Sequence, residues 1–397
     1  MICIAGKNEI AVNALIYIHE NYPNEELVVV ANRTDSGIPD WQPSLKFEAQ
    51  NRNLPILELK DLYGIRDLLF LSLEFDQIIK PKLFATKRLY NVHFSMLPSY
   101  KGMFTAVLPI LYGEEFTGVT LHRIDRGIDT GEIISQERIP ISLDMNSRDL
   151  YQAFLDKSFD LFKANLPSLL NGTETSQKQP CEGASYYSRT TIDFSNIKIN
   201  FQQCAYQVHN FIRAFSFRDY QLVSYKGWEI AKSEMTNVAS VFKPGTIFEE
   251  TDEYFEISTI DYNIRLFKDY YLKFIKLVEK NDLDGIKNMI SFIDDVNFRN
   301  KKGWNAIIIA AYNGYLDLFE YLLQNGADVN SENFKGTTVL MYAKSYAEIS
   351  GDLKMIERLI KLGVGIDKKD WKGLSVLDYL DPNNQHFNGI NKVLNNG

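Results

Sequence analysis

Two short stretches of the sequence carry side chains that could perform chemistry together. The first, NVHFSMLPSY at 91–100, places Asn91 and His93 two residues apart at the end of an apolar run. The second, LHRIDRGIDTGEII at 121–134, places Asp129 in a loop flanked by glycines. Because side chains alternate along a strand, Asn91 and His93 are expected to point to the same face. An amide donor, an imidazole and a carboxylate are the groups that acyl transfer to an amine requires.

Each of these side chains also has a purely structural interpretation. A histidine near the end of a strand is commonly a hydrogen-bonded structural group, and an aspartate beside glycines is common in turns. No single residue of the set therefore indicates a catalytic site. The occurrence of both stretches in one chain is what favours the chemical interpretation.

The elements that must position these residues alternate between strands and helices. MICIAG, ELVVVAN, DLLFLSLEF and RLYNVHF are short apolar runs typical of buried strands, and AVNALIYIHENY between the first two has helical periodicity. This order predicts an α/β fold with a Rossmann-like, largely parallel sheet. Ligands of such sheets bind beyond the carboxyl ends of the strands, where Asn91 and His93 are expected.

The pattern changes twice along the chain. A long amphipathic helix is predicted to end at Asn171, before Gly172, and the polar stretch TETSQKQP after it is expected to be a hinge. From 181 to 269 short, aromatic-rich segments predict a small, mostly β lobe. We therefore expect a catalytic domain at 1–180 and a separate lobe at 181–269.

Residues 270–397 contain a repeated pattern. Gly303, Gly336 and Gly373 begin similar segments that are 33 and 37 residues apart, and the second copy has four extra residues around 346–349. The segment GADVN closes the first copy. This spacing and these residues resemble the ankyrin repeat, which implies an all-α C-terminal domain.

Composition limits the classes of partner. The chain has 43 basic and 51 acidic residues and a net charge of −8, so no global field attracts a nucleic acid. Its three cysteines are scattered, which predicts neither a disulfide framework nor a metal site. No long apolar run or leader is recognisable. We expect a cytoplasmic protein without metal and without a membrane partner.

Taken together, NVHFSMLPSYKG and HRIDRGIDTG resemble the formyltransferases that use N10-formyltetrahydrofolate, over residues 1 to about 190. The resemblance implies that Asn91, His93 and Asp129 are catalytic. Asn91 and a protonated His93 would stabilise negative charge on the formyl oxygen, and Asp129 would accept the amine proton or orient the imidazolium. Whether His93 or Asp129 takes the proton stays open at this point.

The same resemblance implies where the two substrates bind. The folate co-substrate is expected at the loop SLEFDQIIK, with Leu73, Phe75 and Ile78 as binding residues. The residues expected to bind the formyl acceptor are Arg189, Arg213, Phe217, Tyr225, Glu74 and Lys101. The stretch YYSRTTID at 186–193 resembles the family's segment in which an arginine contacts the diphosphate, which implies this role for Arg189. A guanidinium can bind two phosphate oxygens at once.

Two kinds of acceptor occur in this family, the aminoacyl end of initiator tRNA and an amino sugar carried on a nucleotide. The acidic charge favours the sugar, because phosphate contacts dominate tRNA binding. We expect formylation of a dTDP-linked amino-dideoxy sugar, foremost dTDP-3-amino-3,6-dideoxy-D-glucose, for O-antigen or another surface polysaccharide. The alternatives are dTDP-4-amino-4,6-dideoxyglucose, methionyl-tRNA, or a non-catalytic ankyrin scaffold.

The remaining expectations concern assembly and the repeats. The family implies a homodimer formed through the second lobe. Ankyrin repeats commonly bind proteins. Trp304, however, occupies a position where an exposed indole could stack on a nucleobase, so a second nucleotide-sugar site is predicted there. The alternative is that Trp304 is a packing residue.

Overall fold

The computed structural model describes residues 1–395, and these form two units. The first unit comprises Met1–Ile38 and Gln42–Lys268, and the second comprises Pro39–Trp41 and the described residues from Asp269 onward. Within the described residues, no helix has both the length and the apolar character needed to span a bilayer.

The strands of the described residues are numbered in chain order. They are β1 (Ile2–Gly6), β2 (Leu27–Ala31), β3 (Leu69–Leu73), β4 (Leu89–His93), β5 (Lys101–Gly102), β6 (Phe116–Arg123), β7 (Ile133–Pro140), β8 (Tyr186–Tyr187), β9 (Val223–Tyr225), β10 (Trp228–Ala239), β11 (Ile247–Glu250), β12 (Tyr254–Ser258) and β13 (Tyr262–Lys268).

The helices are numbered in the same way. They are α1 (Asn8–Asn21), α2 (Leu45–Asn51), α3 (Leu108–Leu111), α4 (Ser147–Asn171), α5 (Ala205–Ala214), α6 (Tyr271–Glu279), α7 (Leu283–Lys287), α8 (Ala306–Asn313), α9 (Leu316–Gln324), α10 (Val339–Ser350), α11 (Lys354–Lys361) and α12 (Phe387–Asn395). Short 3₁₀ helices lie at Leu59–Leu62, Pro81–Leu83, Phe194–Asn196 and Ile290–Phe292.

The main sheet of the first unit has the order β2-β1-β3-β4-β6-β7. The first four strands are mutually parallel, β6 is antiparallel to β4, and β7 is antiparallel to β6. The runs predicted as strands form β1 to β4, and the α/β fold class is confirmed. All four parallel strands end at one edge, so residues that follow them meet there.

The long helix α4 covers one face of this sheet. Asn146 caps its first turn by accepting hydrogen bonds from the backbone N–H groups of Arg148 and Asp149. The helix ends at Asn171, as predicted, because Gly172 adopts the left-handed conformation (φ 66°) that stops a helix. Its apolar side, which includes Phe154, is buried in a core that it shares with the sheet and with α1.

A second, antiparallel sheet follows in the same unit, with the order β11-β12-β13-β10-β9. Helix α5 packs on β10 and β13. A buried carboxylate on β12, Glu256, is stabilised by Arg265 on β13 at 2.9 Å and by Asn263 at 3.0 Å. These strands and α5 form the mostly β region that the aromatic-rich segments predicted.

The second unit consists of helices with a hydrophobic core of their own. Helices α8 and α9 form one antiparallel pair and α10 and α11 the next, joined by finger turns, as the repeat pattern predicted. The extra residues of the second copy lie in α10, which has 12 residues against 8 in α8.

The glycine that opens each repeat is in the left-handed region, but its surroundings differ. A Cβ on Gly303 would lie 2.6 Å from the backbone nitrogen of Phe334 in the next finger turn. On Gly336 it would lie 3.1 Å from the Cα of Asp370, whereas on Gly373 no described atom comes within 4 Å. The repeats therefore stack most closely at the first finger turn.

This series gives a test of the stacking. Replacing Gly373 with Ala adds only the cost of a positive φ, about 1–2 kcal/mol of unfolding free energy. We expect Gly303→Ala to cost about 1–3 kcal/mol more, because the Cβ also overlaps the next backbone. Urea unfolding monitored by circular dichroism measures both variants. Equal destabilisation of the two would show that the finger turns do not pack as described.

Candidate active site

The three side chains expected to be catalytic lie together at the end of β4. The Nδ1 atom of His93 is 3.5 Å from Oδ2 of Asp129, and the Nδ2 atom of Asn91 is 3.5 Å from Oδ1 of the same carboxylate. Asn91 and His93 come from one strand face, as the alternation predicted, and Asp129 comes from the loop between β6 and β7. The sequence prediction that these residues converge is therefore consistent with the geometry, and their catalytic roles stay a proposal.

The Asp129 carboxylate is partly enclosed and held by several donors. The residue is left-handed (φ 54°), and its Oδ2 accepts a hydrogen bond of 2.8 Å from the backbone N–H of Gly102. Burial alone would raise the pKa of Asp129, but the charges that His93 and His122 carry when protonated and the hydrogen bond from the Gly102 amide outweigh it and lower the pKa to about 2. The group is therefore a carboxylate at all physiological pH values.

The protonation of His93 follows from its partners. Its Nε2 lies 2.9 Å from the backbone carbonyl oxygen of Tyr100, which can only accept, so Nε2 carries the hydrogen. Burial lowers the pKa of His93, partly opposed by the negative charge of Asp129. The free protein thus presents a neutral imidazole whose Nδ1 lone pair faces the carboxylate. A proton added at Nδ1 would be stabilised by Asp129.

A second histidine, His122, belongs to this cluster and was not predicted as a site residue. It pairs with Asn91 across β4 and β6. Its Nδ1 donates to the carbonyl oxygen of Arg123 at 2.8 Å, so its Nε2 accepts the Asn91 amide at 3.1 Å. His122 therefore orients the amide group of Asn91. Only the pairing register of the strands, which the sequence does not reveal, brings the two together.

The polar stretch 173–180, predicted to be a hinge, is held on the sheet instead. The backbone N–H and carbonyl of Gln177 both pair with Ile133 at 2.8 Å, and Ser176 donates to Glu132 at 2.6 Å. Gln179 then reaches the catalytic loop by donating to the carbonyl oxygens of Asp129 and Gly131. The interpretation of this stretch as a hinge was wrong, because the Gln177 backbone pairs with Ile133 of β7 and the side chains of Ser176 and Gln179 hydrogen-bond to Glu132 and to the loop that carries Asp129. The predicted domain boundary at 180 stays a prediction.

The next residues of the chain hold the LPSYKG loop. Ser185 accepts from Lys101 through its carbonyl at 3.0 Å and from Tyr100 through its hydroxyl at 2.8 Å. Strand β8 pairs with β5, and the ring of Tyr187 stacks on that of Tyr100 at 5.5 Å. The loop that supplies the Tyr100 carbonyl and the Gly102 amide is thereby fixed.

An open cavity of about 410 Å³ lies beside these loops. Its lining residues are Lys101, Ile128, Thr130, Ala184, Ser185 and Tyr186. Ile128 and Tyr186 are exposed, and Lys101 adds a cation. An apolar wall, an aromatic ring and one positive charge suit a flat ligand that carries an anionic group.

Glu74 lies at the same edge of the sheet, directly after β3. Its carboxylate accepts hydrogen bonds from the Tyr151 hydroxyl at 2.9 Å and the Asn8 amide at 3.2 Å. Burial raises the pKa of Glu74 to about 7, although both hydrogen bonds oppose this. Phe217, another predicted ligand residue, is buried with its ring 5.8 Å from that of Tyr151. Both residues are thus near the strand ends.

The other predicted acceptor-binding residues are dispersed. Arg213 is buried, and its guanidinium donates to the carbonyl oxygens of Ser142 and Met145 and to Asn210, which gives it a structural position. The Tyr225 ring packs on Phe201 and Phe255 in the core of the second sheet.

Arg189 and the residues predicted to bind folate differ in exposure. Arg189 is exposed, two residues after β8. Leu73 is fully buried and can offer only backbone to a ligand, Phe75 is half-buried with its ring near that of Phe70, and Ile78 is 72% exposed. Ligand contacts of these residues stay predictions.

Trp304 lies in the second unit within a cluster of rings. Its indole is half-buried and contacts Tyr312 at 5.1 Å and Tyr342 at 4.9 Å between ring centroids. Both the ligand and the packing interpretations of Trp304 are compatible with this position, and the second nucleotide-sugar site stays a prediction. Within residues 1–395, no group of three or more His, Cys, Asp or Glu side chains is arranged to hold a metal ion.

Both units of the chain contain a segment that matches a known protein family. The family described as "Formyl transferase" matches residues 67–165, and that described as "Ankyrin repeats (3 copies)" matches residues 274–370. The methionyl-tRNA formyltransferase of Staphylococcus aureus strain MW2 is 29% identical over 262 residues, which cover 62% of this chain and 84% of that protein.

Two solved structures are more similar. WlaRD, described as a sugar 3N-formyl transferase in the presence of dTDP and 5-N-formyl-THF, is 45% identical with a TM-score of 0.64, over 67% of this chain and 97% of its own. The N-formyltransferase of Helicobacter canadensis, in complex with folinic acid and dTDP-3-aminofucose, is 44% identical with a TM-score of 0.63, over 68% and 99%. The chain is an N-formyltransferase that belongs to the sugar N-formyltransferase family and adds C-terminal ankyrin repeats to it.

Proposed function

We propose that this enzyme transfers a formyl group from N10-formyltetrahydrofolate to the amine of a dTDP-linked 3-amino-3,6-dideoxy sugar. The observation that carries the proposal is the cluster in which neutral His93 faces the Asp129 carboxylate, with Asn91 beside both. The sugar with the glucose configuration, dTDP-3-amino-3,6-dideoxy-D-glucose, is the preferred acceptor. Its epimer dTDP-3-aminofucose and the 4-amino isomer are the alternatives.

The residues of the cluster have complementary roles in this proposal. His93 Nδ1 takes a proton from the attacking amine, and the resulting N–H donates to Asp129, whose charge stabilises the imidazolium. The Asn91 amide, oriented by His122, donates to the formyl oxygen as negative charge develops there. The bond from the amine to the formyl carbon forms first, and the bond between the formyl carbon and the folate nitrogen breaks as the charged oxygen reforms the carbonyl. The proton held by His93 then goes to the leaving nitrogen.

The co-substrate supplies the formyl group, and the residues present fit it. A folate combines flat rings with a glutamate carboxylate, and the cavity beside the catalytic loop offers Tyr186, Ile128 and Lys101. The loop after β3 adds Phe75 and the exposed Ile78. The cavity adjoins Asp129 through Ile128 and Thr130, and the loop after β3 lies at the same edge of the sheet as His93, so we expect a ligand there to reach the cluster.

Sequence identity to known enzymes and the net charge of the chain both support a sugar as the acceptor. The sugar N-formyltransferases are 44–45% identical to this chain, against 29% for the methionyl-tRNA formyltransferase. A net charge of −8 is unfavourable for tRNA, whose binding depends on cationic contacts to phosphates. Exposed Arg189, near Lys101 through the β5–β8 pairing, is a candidate for the diphosphate, and Glu74 for a polar group of the acceptor. Homodimerisation through the second sheet and a role in surface polysaccharide synthesis belong to the same proposal.

The direct test is to incubate the protein with N10-formyltetrahydrofolate and each dTDP-amino sugar and to analyse the products by mass spectrometry. We expect one formyl group to be added to 3-amino sugars, with the highest kcat/KM for the glucose isomer. Methionyl-tRNA is the matched negative control. Formylation of the tRNA or only of the 4-amino sugar would contradict the proposed acceptor, and no formylation at all would favour a scaffold.

The roles within the cluster are tested by Asp129→Asn and His93→Asn. Each should lower kcat by about 10²- to 10⁴-fold with little change in KM, because the proton transfer is lost and binding is not. Asp125→Asn makes the same carboxylate-to-amide change in the same loop. Since its Oδ1 accepts from Gly127 and Thr130, an amide oxygen can replace it, and near-normal activity is expected.

The pH dependence tests the identity of the base. Activity requires neutral His93, whose pKa is lowered by burial, so kcat/KM should rise with pH through a limb below pH 6.5. The Asp129 charge raises the pKa of His93, so Asp129→Asn should move this limb to lower pH. A limb that is unchanged in Asp129→Asn would show that His93 is not the titrating base.

A further inference from the structure

The segment 174–187 crosses the catalytic edge of the sheet, and we refer to it as the strap. Its first part pairs with β7 through Gln177, and its last part pairs with β5 through β8. Between these two attachments Gln179 contacts the loop that carries Asp129. The strap therefore holds both loops that surround the reacting groups.

The contact of Gln179 is made by its amide nitrogen alone. Nε2 donates one hydrogen bond of 2.8 Å to the carbonyl oxygen of Asp129 and another of 2.8 Å to that of Gly131. Its Oε1 is buried without a hydrogen-bond partner in the described part of the chain. A reversed amide would place its oxygen against two carbonyl oxygens, so the orientation is determined by the donors.

An unpartnered buried oxygen is unfavourable, and an apolar side chain of similar size would avoid it. The carboxamide at 179 is thus explained by its two donors and not by packing. One of these hydrogen bonds goes to the backbone of Asp129, a residue other than glycine in the left-handed conformation. Neighbouring contacts must maintain such a conformation.

The position of the Asp129 backbone decides where the carboxylate lies. Oδ2 has to meet the Gly102 N–H at 2.8 Å and His93 Nδ1 at 3.5 Å at the same time. Thr130 lies between the two anchored carbonyls, and its hydroxyl donates to Oδ1 of Asp125 at 2.6 Å. A shift of the loop by a fraction of an ångström would therefore separate the carboxylate from the imidazole.

We infer that Gln179 is a positioning residue for formyl transfer, which fixes Asp129 against His93 from the strap. This inference rests on the proposed roles of Asp129 and His93. Gln179 does not face the reacting atoms, so it acts on the rate through Asp129 and contributes little to substrate binding.

The test compares Gln179→Leu with Gln177→Leu in the full-length enzyme. Gln177 lies on the same strap and contributes backbone hydrogen bonds, while its side chain is exposed. Gln179→Leu should lower kcat about 10²-fold, the typical effect of misplacing a catalytic group by an ångström. The KM for each of the two substrates should stay within about 3-fold of its value in the unmodified enzyme. Gln177→Leu should retain the kcat and KM of the unmodified enzyme.

A second measurement does not depend on turnover. The ionisable groups facing His93 are Asp129 and His122. When the Asp129 carboxylate moves away, it no longer raises the pKa of His93, so an NMR titration of the histidine rings should show a lower pKa for His93 in Gln179→Leu. The titration of Gln177→Leu should match that of the unmodified protein.

Gln179→Met provides an uncharged variant of similar length without the two donors. It should reproduce the kinetic loss and the lower pKa of His93, and it keeps the inference testable if Gln179→Leu does not fold. An unchanged kcat and an unchanged His93 titration in these variants would overturn the inference. If the unmodified enzyme formylates no amino sugar, the proposed function fails, and the NMR titration still decides whether Gln179 positions Asp129.

Discussion

An ionised carboxylate that is partly removed from water is stable only where donors surround it, and Asp129 is the group on which this site depends. One donor is the Gly102 amide, and the other neighbours are His93, His122 and Asn91. These groups come from β4, from β6 and from β5. The need to stabilise a single negative charge therefore determines how three separate segments meet at the edge of the sheet.

Two histidines in the site are held in opposite tautomers, each by one backbone carbonyl. The Tyr100 carbonyl keeps the hydrogen of His93 on Nε2, and the Arg123 carbonyl keeps that of His122 on Nδ1. As a result, one imidazole presents a lone pair toward Asp129 and the other toward the Asn91 amide. Similar side chains thus acquire different tasks, proton acceptor and amide orienter, from main-chain contacts alone.

The supporting segments connect this site to the rest of the first unit. The strap stabilises the loops from outside the sheet, while α4 and α1 cover the core beneath it. The ankyrin unit has a separate core.

Local patterns in the sequence were sufficient for much of the fold. Apolar runs indicated β1 to β4, Gly172 indicated the end of α4, and a 33-residue period indicated the repeats, because each depends on residues close together in the chain. The alternation of a strand likewise placed Asn91 and His93 on one face. The motifs around His93 and Asp129 indicated the formyltransferase family, because each motif is a short, contiguous stretch of the sequence.

Other features depended on contacts between distant segments. The sequence by itself determined which residue types were available for chemistry: an amide, an imidazole and a carboxylate in two short motifs. Only the tertiary structure decided that His122 would orient Asn91, that Arg213 would be buried against backbone carbonyls, and that the expected hinge would deliver Gln179 to Asp129. Strand register and long-range hydrogen bonds determine such contacts, and neither leaves a periodic signal in the sequence.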